Sequence, residues 1–148
     1  MTVMPTVEGG LKLIPEEDYD WNVLSAIALD AHEDLAKRFG GMMDEESMWD
    51  DIVVPDLELH FGSQLEEVIR ALKAGRKEGE VIISPETSEA WYGALNQARL
   101  GLERIYHFGA DENIVMEELS SVDEKEAYRR GRFYSAVQAV LIEYVMPD

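Results

Sequence analysis

The stretch SPETSEAWYGALNQARLGLERIYHFG, residues 84–109, constrains the fold most, because it carries both a helix start and a helix stop. Ser84 suits the N-cap, and Pro85 suits the first helical position. Gly109 suits the C-terminal cap, because glycine adopts the left-handed conformation without a steric penalty. The apolar residues between them recur at helical spacing and are predicted to share one face: Trp91, Leu95, Ala98, Leu102, Ile105 and Tyr106.

A second predicted helix begins at Pro15-Glu16-Glu17-Asp18, because proline and acidic side chains both suit a first turn. It ends at Gly40-Gly41, again through the glycine cap. The apolar residues at helical spacing in this segment are Trp21, Leu24, Ile27, Ala28, Ala31, Leu35 and Phe39.

Two capping boxes predict the starts of the other main helices. Ser63 and Ser121 are each followed three residues later by Glu, so the serine can accept from that residue's amide and the Glu can reach back. The first of these helices fades between Gly75 and Gly79, and its apolar stripe is Leu65, Val68, Ile69 and Leu72. The second is the C-terminal helix, with these residues predicted to face inward: Tyr134, Val137, Leu141, Tyr144 and Val145.

The connecting segments complete the prediction of the fold. Gly9-Gly10 between two short apolar-leaning runs predicts a small N-terminal β-hairpin. Asp44–Asp51 and Asp111–Leu119 are candidates for short helical pieces, and Pro55 marks a break because the residue before a proline avoids helical geometry. The expected fold is mostly α: a single domain over residues 1–148, built as a bundle of about four main helices.

Composition excludes several classes of function. The chain has no cysteine, so disulfides, thiolate metal sites and thiol nucleophiles are absent, and a reducing cytoplasmic setting is expected. The 13 Lys and Arg against 31 Asp and Glu give a net charge of −18, which repels nucleic acid and anionic membrane surfaces. No signal peptide and no transmembrane helix are expected from the apolar pattern.

The basic residues fall in two clusters, at Arg70/Lys73/Arg76/Lys77 and Lys125/Arg129/Arg130/Arg132. We interpret them as solvated helix faces that pair with nearby glutamates. The alternative interpretation is that they contact anions or dock an acidic partner.

The sequence contains no recognisable catalytic or metal-binding motif. A di-metal carboxylate bundle needs Glu-x-x-His on two helices, and none of the three histidines has Glu three residues before it. Calcium-loop, phosphate-loop, dinucleotide and nucleophile-elbow patterns are also missing. Glu103 and His107 share a helix face, but a single pair indicates a surface contact rather than a metal site. We therefore predict no catalytic residue, no metal and no cofactor.

One row of polar side chains lies along a single face of the 84–109 helix: Tyr92, Asn96, Arg99, Glu103 and His107. The structural interpretation is that Asn96 ties down a loop and that Arg99 holds a carboxylate through its planar guanidinium group. The functional interpretation makes the same residues a ligand site. We favour the structural role, because buried polar side chains usually bond the backbone or another protein group.

Several blocks resemble an uncharacterised bacterial family, mainly actinobacterial, that is classified as a domain of unknown function and is often encoded beside the adaptor ClpS. ALNQARLGL, residues 94–102, resembles its Leu-Asn-x-x-Arg-Leu-x-Leu signature. VVPD at 53–56 and FYSAVQAVLIEYV at 133–145 are similar to further blocks, and the N-terminal hairpin leading into a helix over 2–39 agrees in order. The most similar positions are Pro55, Asp56, Leu95, Asn96, Arg99, Leu100, Leu102 and Gln138.

The resemblance implies a fold and a bacterial cytoplasmic setting, but no activity, because the family has none established. The chain departs from the family after Leu102, where the family tends to have Gly-Thr-Arg-Leu-Gly and this chain has Glu-Arg-Ile-Tyr-His. A connection to regulated proteolysis would depend on gene neighbourhood alone.

Three hypotheses of function follow. The leading one is a non-enzymatic protein-interaction or regulatory module with an unknown protein partner, whose contact surface includes Met42, Met43, Met48 and Trp49. The alternative is a small ligand-binding protein or enzyme that uses Asn96, Arg99 and His107. The third is a nucleic-acid mimic that acts through its negative charge. A homodimer is compatible with all three.

Overall fold

The structure, a computed structural model, describes residues 1–31, 54–108, 119 and 121–146, and for 54–57 it describes the backbone alone. Four α-helices lie in the described part, which confirms the mostly α prediction: α1 (Asp18–Asp30), α2 (Val54–Glu78), α3 (Ser88–Tyr106) and α4 (Val122–Val140). A 3₁₀ turn, Pro85–Thr87, precedes α3, and a π-helical turn, Leu141–Val145, continues α4. The described residues also contain three short strands: β1 (Thr2–Pro5), β2 (Leu11–Ile14) and β3 (Val81–Ile83).

The three strands form one antiparallel sheet in the order β1-β2-β3. The predicted N-terminal hairpin is confirmed, with Gly9 at φ +89° in its turn, a conformation that favours glycine. The third strand was not predicted from the sequence. Its Val81 and Ile83 are buried while Ile82 between them is exposed, the alternation expected of a strand with one face on the core.

Gly10→Ala is expected to lower the free energy of unfolding by about 3 kcal/mol, because two backbone segments would have to separate. A Cβ at this position would lie 2.3 Å from the carbonyl oxygen of Ile83 and 3.2 Å from the Cα of Ser84. Urea denaturation measures the loss. Gly62→Ala is the matched control, since a Cβ at Gly62 meets nothing within 4 Å. A loss no larger than that of the control would contradict the close packing of β2 against β3.

Helix α3 lies at the centre of the core, where it packs against α1, α2 and α4. Its face of Trp91, Leu95, Ala98 and Leu102 is buried, as predicted. The same core takes Leu11 and Leu13 from β2, Leu24 and Ile27 from α1, Val68 from α2, and Tyr134, Val137 and Leu141 from the C-terminal helix. Ile105 was predicted to share the buried face, and this is wrong: it is 52% exposed in the last turn of α3.

Helix α2 begins at Val54, so the prediction that this helix starts at Ser63 is wrong. The hydroxyl of Ser63 donates to the carbonyl oxygen of His60 at 2.8 Å, a bond that a serine inside a helix can make. Pro55 falls in the first turn, where proline is tolerated, so the predicted break coincides with the helix start. The helix ends at Glu78. Gly79 follows in the left-handed region, at φ +78°, and its amide donates to the carbonyl oxygen of Gly75.

The predicted cap at Ser84 is confirmed for a 3₁₀ turn, while α3 itself begins later, at Ser88, and ends earlier than predicted. Ser84 is the N-cap of the 3₁₀ turn, and its hydroxyl accepts from the amide of Thr87 at 3.3 Å. The left-handed cap at the other end is His107, at φ 54°, whose amide donates to the carbonyl oxygen of Glu103. The helix therefore ends before Gly109, which lies outside the described residues.

The predicted cap of α4 is confirmed, because the hydroxyl of Ser121 accepts from the amide of Glu124 at 3.1 Å. Tyr144 was predicted to face inward, and this is wrong: it is 60% exposed. The π-helical turn explains the difference, since its wider repeat puts Leu141 and Val145 on the buried side and rotates Tyr144 outward.

Several predictions fall on residues that the structure does not describe. They are the helix end at Gly40-Gly41, the helical pieces at Asp44–Asp51 and Asp111–Leu119, and the inward positions Leu35 and Phe39. In the part of the chain that is described, no helix is both long and apolar enough to cross a membrane.

Candidate functional site

Arg99 joins α3 to α4 through a side-chain hydrogen bond. Its Nη1 donates to Oε1 of Gln138 at 2.6 Å, and Nε2 of Gln138 donates in turn to the backbone carbonyl of Tyr92 at 3.2 Å. Gln138 is 3% exposed, so its amide needs both partners. The expected carboxylate partner of Arg99 is replaced by an amide oxygen, and the bond runs between two helices.

Arg99 is exposed, and Tyr92 of the same predicted polar row is joined to it through Gln138, which donates to the Tyr92 backbone carbonyl. Asn96 and His107 are exposed, while Tyr92 and Glu103 are half-buried. His107 and Glu103 are connected through their backbones, because the amide of His107 caps α3 on the Glu103 carbonyl. Among the described residues, no group of three or more His, Asp or Glu side chains could hold a metal ion.

A buried polar cluster that the sequence did not reveal joins the end of α1 to α4. The guanidinium of Arg130 donates to both carboxylate oxygens of Asp30, with Nε at 2.8 Å from Oδ2 and Nη2 at 3.0 Å from Oδ1. The hydroxyl of Tyr134 donates to Oδ2 of Asp30 at 2.7 Å. Asp30 is 8% exposed and Tyr134 is fully buried. The two-point geometry is the strongest arrangement open to an Arg–carboxylate pair.

The cluster is electrostatically compensated. A carboxylate in the last turn of a helix faces the negative end of the helix dipole, so Asp30 depends on the positive charge of Arg130. The hydrogen bond to Asp30 raises the pKa of Arg130 despite its partial burial. Burial, followed by the negative charge of Asp30, raises the pKa of Tyr134 far above the usual tyrosine range.

Because the pKa of Tyr134 is raised on folding, its contribution to stability is complete below the unfolded pKa near 10 and is lost as the pH rises further. We expect the free energy of unfolding to fall above pH 10 by about 1.4 kcal/mol per pH unit from this residue. Urea denaturation at a series of alkaline pH values measures the slope. Tyr134→Phe removes the titrating hydroxyl and should reduce the slope, and an unchanged slope would contradict the assignment.

The spacing of Asp30 and Arg130 from apolar residues along their helices is a sequence signal that both side chains turn inward. Asp30 lies three residues after the buried Ile27, and Arg130 lies three after Ala127 and four before Tyr134, so both charges fall on apolar stripes. The remaining basic residues agree better with the prediction of solvated faces: Arg70 pairs with Glu67 at 2.8 Å and Arg129 pairs with Glu126 at 2.6 Å. Arg76 lies over the ring of Trp21, 5.3 Å from its centroid.

A third polar contact joins α2 to α3. Nε2 of Gln97 donates to Oε1 of Gln64 at 3.0 Å and to the carbonyl oxygen of Phe61 at 3.1 Å. Gln97 is 2% exposed. Nearby, a Cβ at Gly93 would lie 2.2 Å from the Gln64 amide, so the helices approach closely here. The bonds of Arg99, Asp30 and Gln97 thus each connect two helices.

The described residues also form an open groove of about 390 Å³ between β1, α1 and α4, which we call the β1 groove. Its wall is mostly apolar, and the lining residues are Met1, Val3, Tyr19, Asp20, Val23, Arg129, Phe133, Ala136, Val137 and Val140. At its rim the hydroxyl of Tyr19 donates to Oε2 of Glu126 at 2.9 Å, and the Met1 ammonium lies 3.3 Å from Asp20. None of Asn96, Arg99 and His107 lines this groove.

The remaining predicted site residues lie wholly or partly outside the residues that the structure describes. Pro55 and Asp56 lie in the first turn of α2, and their side chains are outside the described part. The predicted partner surface also lies outside the described residues: Met42, Met43, Met48 and Trp49. Both assignments stay predictions.

A family model described as "Domain of unknown function (DUF2017)" matches residues 16–145. The chain belongs to this family. The matched DUF2017 span contains the Asp30, Gln97 and Arg99 contacts and most of the β1 groove, while β1 and β2 precede it. Comparison with curated proteins and with solved structures gives no significant match.

Proposed function

We propose that this chain is a non-enzymatic protein-interaction or regulatory module. One observation carries the proposal: Arg99, the charged residue of the polar row best suited to grip a ligand, has its guanidinium bonded to Gln138 of the neighbouring helix. A guanidinium held in this way stabilises the contact between α3 and α4. We therefore assign Arg99 a structural role and look for function on the apolar surface.

The apolar surface supports the proposal. Val3 is 37% exposed and Tyr19 is 44% exposed, and both border the β1 groove, which is lined mainly by carbon. Contiguous exposed apolar surface rimmed by polar groups is typical of sites that bind other molecules. The charged groups at its described rim are paired with each other, and no acid, base and nucleophile converge among its described lining residues.

The proposed setting follows the resemblance of residues 94–102 to the bacterial family often encoded beside ClpS. We infer a bacterial cytoplasmic protein, and a chain without cysteine is compatible with a reducing compartment. The charge of −18 supports a protein partner over nucleic acid or an anionic membrane surface. Cofactors are not part of the proposed function.

Site-specific cross-linking tests the proposal, and the cysteine-free sequence makes each introduced cysteine a unique attachment point. Single cysteines at Ala136 in the β1 groove, at Asn96 in the polar row and at Ala74 on α2 would each carry a benzophenone. All three positions are exposed. The labelled proteins are irradiated in extract of the source cell, and the products are identified by mass spectrometry.

The proposal expects the same defined protein to be cross-linked reproducibly from at least one of these positions. Unlabelled protein added in excess should compete for it. Absence of a reproducible protein product from every position would contradict the proposal. If small molecules from the extract reduced cross-linking from the Asn96 position and from no other, the result would instead favour the alternative. That alternative is a small-ligand site at Asn96, Arg99 and His107.

A further inference from the structure

Among the described strands, β1 is an edge of the sheet, and no described residue pairs with the backbone groups on its outer side. It pairs with β2 alone, with Val3 opposite Leu13 and Met4 opposite Lys12. The amide of Thr6 donates to the carbonyl oxygen of Gly10, so these two opposite residues are a hydrogen-bonded pair. In an antiparallel ladder such pairs alternate with non-hydrogen-bonded pairs, so Met4 and Lys12 are hydrogen-bonded and Val3 and Leu13 are not. By this alternation the N–H and C=O of Val3 point away from β2. They form the start of a ladder that a further strand can continue.

The side chain of Val3 lies on the core face of the sheet. Val3 and Leu13 are directly opposite, so their side chains share a face, and Leu13 is fully buried. Val3 is nevertheless 37% exposed, because the β1 groove opens between it and Phe133, Ala136 and Val140 of α4. Within the described part of the chain, the groove therefore extends the core beside the outer edge of β1.

The charge around the β1 groove identifies the chemistry of its occupant. At the rim, the carboxylates of Glu16, Asp20 and Glu126 outnumber the two cations that pair with them, the Met1 ammonium and the Arg129 guanidinium, so the rim keeps a negative excess. A second copy of this chain would bring another net charge of −18 and is repelled. A segment with Lys or Arg beside its apolar residues is attracted to the same rim.

We propose that β1 and the β1 groove bind an extended, basic segment of a partner protein by strand addition. The segment hydrogen-bonds to Val3, inserts an apolar side chain between Val3 and Phe133, and places Lys or Arg next to the carboxylates of the rim. This inference rests on the proposed function, for which it names the contact surface and the class of partner.

A phage-displayed library of random nonapeptides tests the inference without a known partner. The full chain is the bait, and recovered peptides are synthesised with a fluorescent label for anisotropy measurements. We expect enrichment of sequences that alternate apolar residues with Lys or Arg, with binding that weakens as the salt concentration rises. No enrichment, or enrichment without basic residues, would overturn the inference.

Two matched variants locate the binding site. Ala136→Trp fills the groove from an exposed position on α4, and Ala74→Trp makes the same change at an exposed position on α2. The recovered peptides should bind Ala136→Trp at least about tenfold more weakly than wild type, and Ala74→Trp with unchanged affinity. Equal binding to both variants would overturn the inference. Far-ultraviolet circular dichroism checks that both variants are folded.

Amide hydrogen exchange provides a second readout that needs no variant. Strand addition should slow exchange at the amide of Val3 when peptide is bound, while the amide of Met4, already facing β2, changes less. Exchange at Val3 that peptide leaves unchanged would contradict strand addition. Sedimentation that shows a wild-type dimer disrupted by Ala136→Trp would identify a second copy as the occupant and would also overturn the inference.

The outcomes separate this inference from the proposed function. Cross-linking of a defined protein from Asn96 or Ala74, together with failure of peptides to use the groove, would leave an interaction module that binds elsewhere. Absence of cross-linking at every position would contradict the proposed function itself.

Discussion

Asp30→Ala is expected to lower the free energy of unfolding by about 3–5 kcal/mol, the usual result of removing one partner of a buried ion pair. The substitution leaves the guanidinium of Arg130 without its two carboxylate acceptors and the buried hydroxyl of Tyr134 without its 2.7 Å partner. The cost arises mostly from these stranded groups rather than from the attraction between the charges. Urea denaturation at neutral pH measures the change.

Glu67→Ala is the matched control for Asp30→Ala. It also removes the carboxylate of an Arg pair, but the Arg70 side chain is 72% exposed, so the expected loss is below about 1 kcal/mol. Adding Arg130→Met to Asp30→Ala should recover part of the loss, because the unpaired charge disappears. Equal losses for Asp30→Ala and Glu67→Ala would contradict a stabilising cluster between α1 and α4.

Trp91→Ala is also expected to lower the free energy of unfolding by about 3–5 kcal/mol, because it leaves a large cavity in the core. Trp91 is fully buried and has the largest side chain of the core, on the face that α3 turns toward the other elements. The measurement is again urea denaturation, with the midpoint and the slope compared with those of wild type.

Trp91→Phe separates the packing of Trp91 from its polarity. Among the described residues, the indole Nε1 of Trp91 has no hydrogen-bond partner. Phenylalanine therefore loses volume but no described hydrogen bond, and the expected loss is below half that of alanine. A loss for Trp91→Phe as large as for Trp91→Ala would show that the indole N–H makes a stabilising bond.

Local chemistry explains which helix boundaries were predictable. Ser84 caps the 3₁₀ turn that leads into α3, and Ser121 caps α4 as predicted, because the serine hydroxyl and the amide that it accepts from lie within one turn. Ser63 presents the same pattern inside a helix, and its hydroxyl bonds the carbonyl of His60 instead. The pattern does not reveal whether the preceding residues are already helical, so the start of α2 was predicted nine residues too late.

The errors in the buried face have geometric causes. Tyr144 follows the α-helical phase of Tyr134 and Val137, but the π-helical turn changes that phase after Val140. Strand β3 was not predicted, because three apolar residues are too few to show a period. Among the described strands, β2 pairs with this segment, and that pairing identifies it as a strand.

The candidate site was predictable only in part. Arg99 and Gln138 were both singled out by their resemblance to the family, and the structure joins them by a hydrogen bond across 39 residues of chain. Asp30 and Arg130 are 100 residues apart, and a pairing at that separation has no signature in the local sequence. Charges in phase with an apolar stripe mark such residues as buried without identifying their partners.

A double-mutant cycle on Arg99 and Gln138 tests most directly whether the polar side chains of this chain hold its helices together. Arg99→Ala, Gln138→Ala and the double variant are compared with wild type by urea denaturation. The 2.6 Å bond predicts an interaction energy of about 1 kcal/mol between the two residues. The contradicting result is a free energy of unfolding that Arg99→Ala leaves unchanged, together with losses in the double variant that equal the sum of the single losses. Arg99 would then not hold α3 against α4, and its structural role would be wrong.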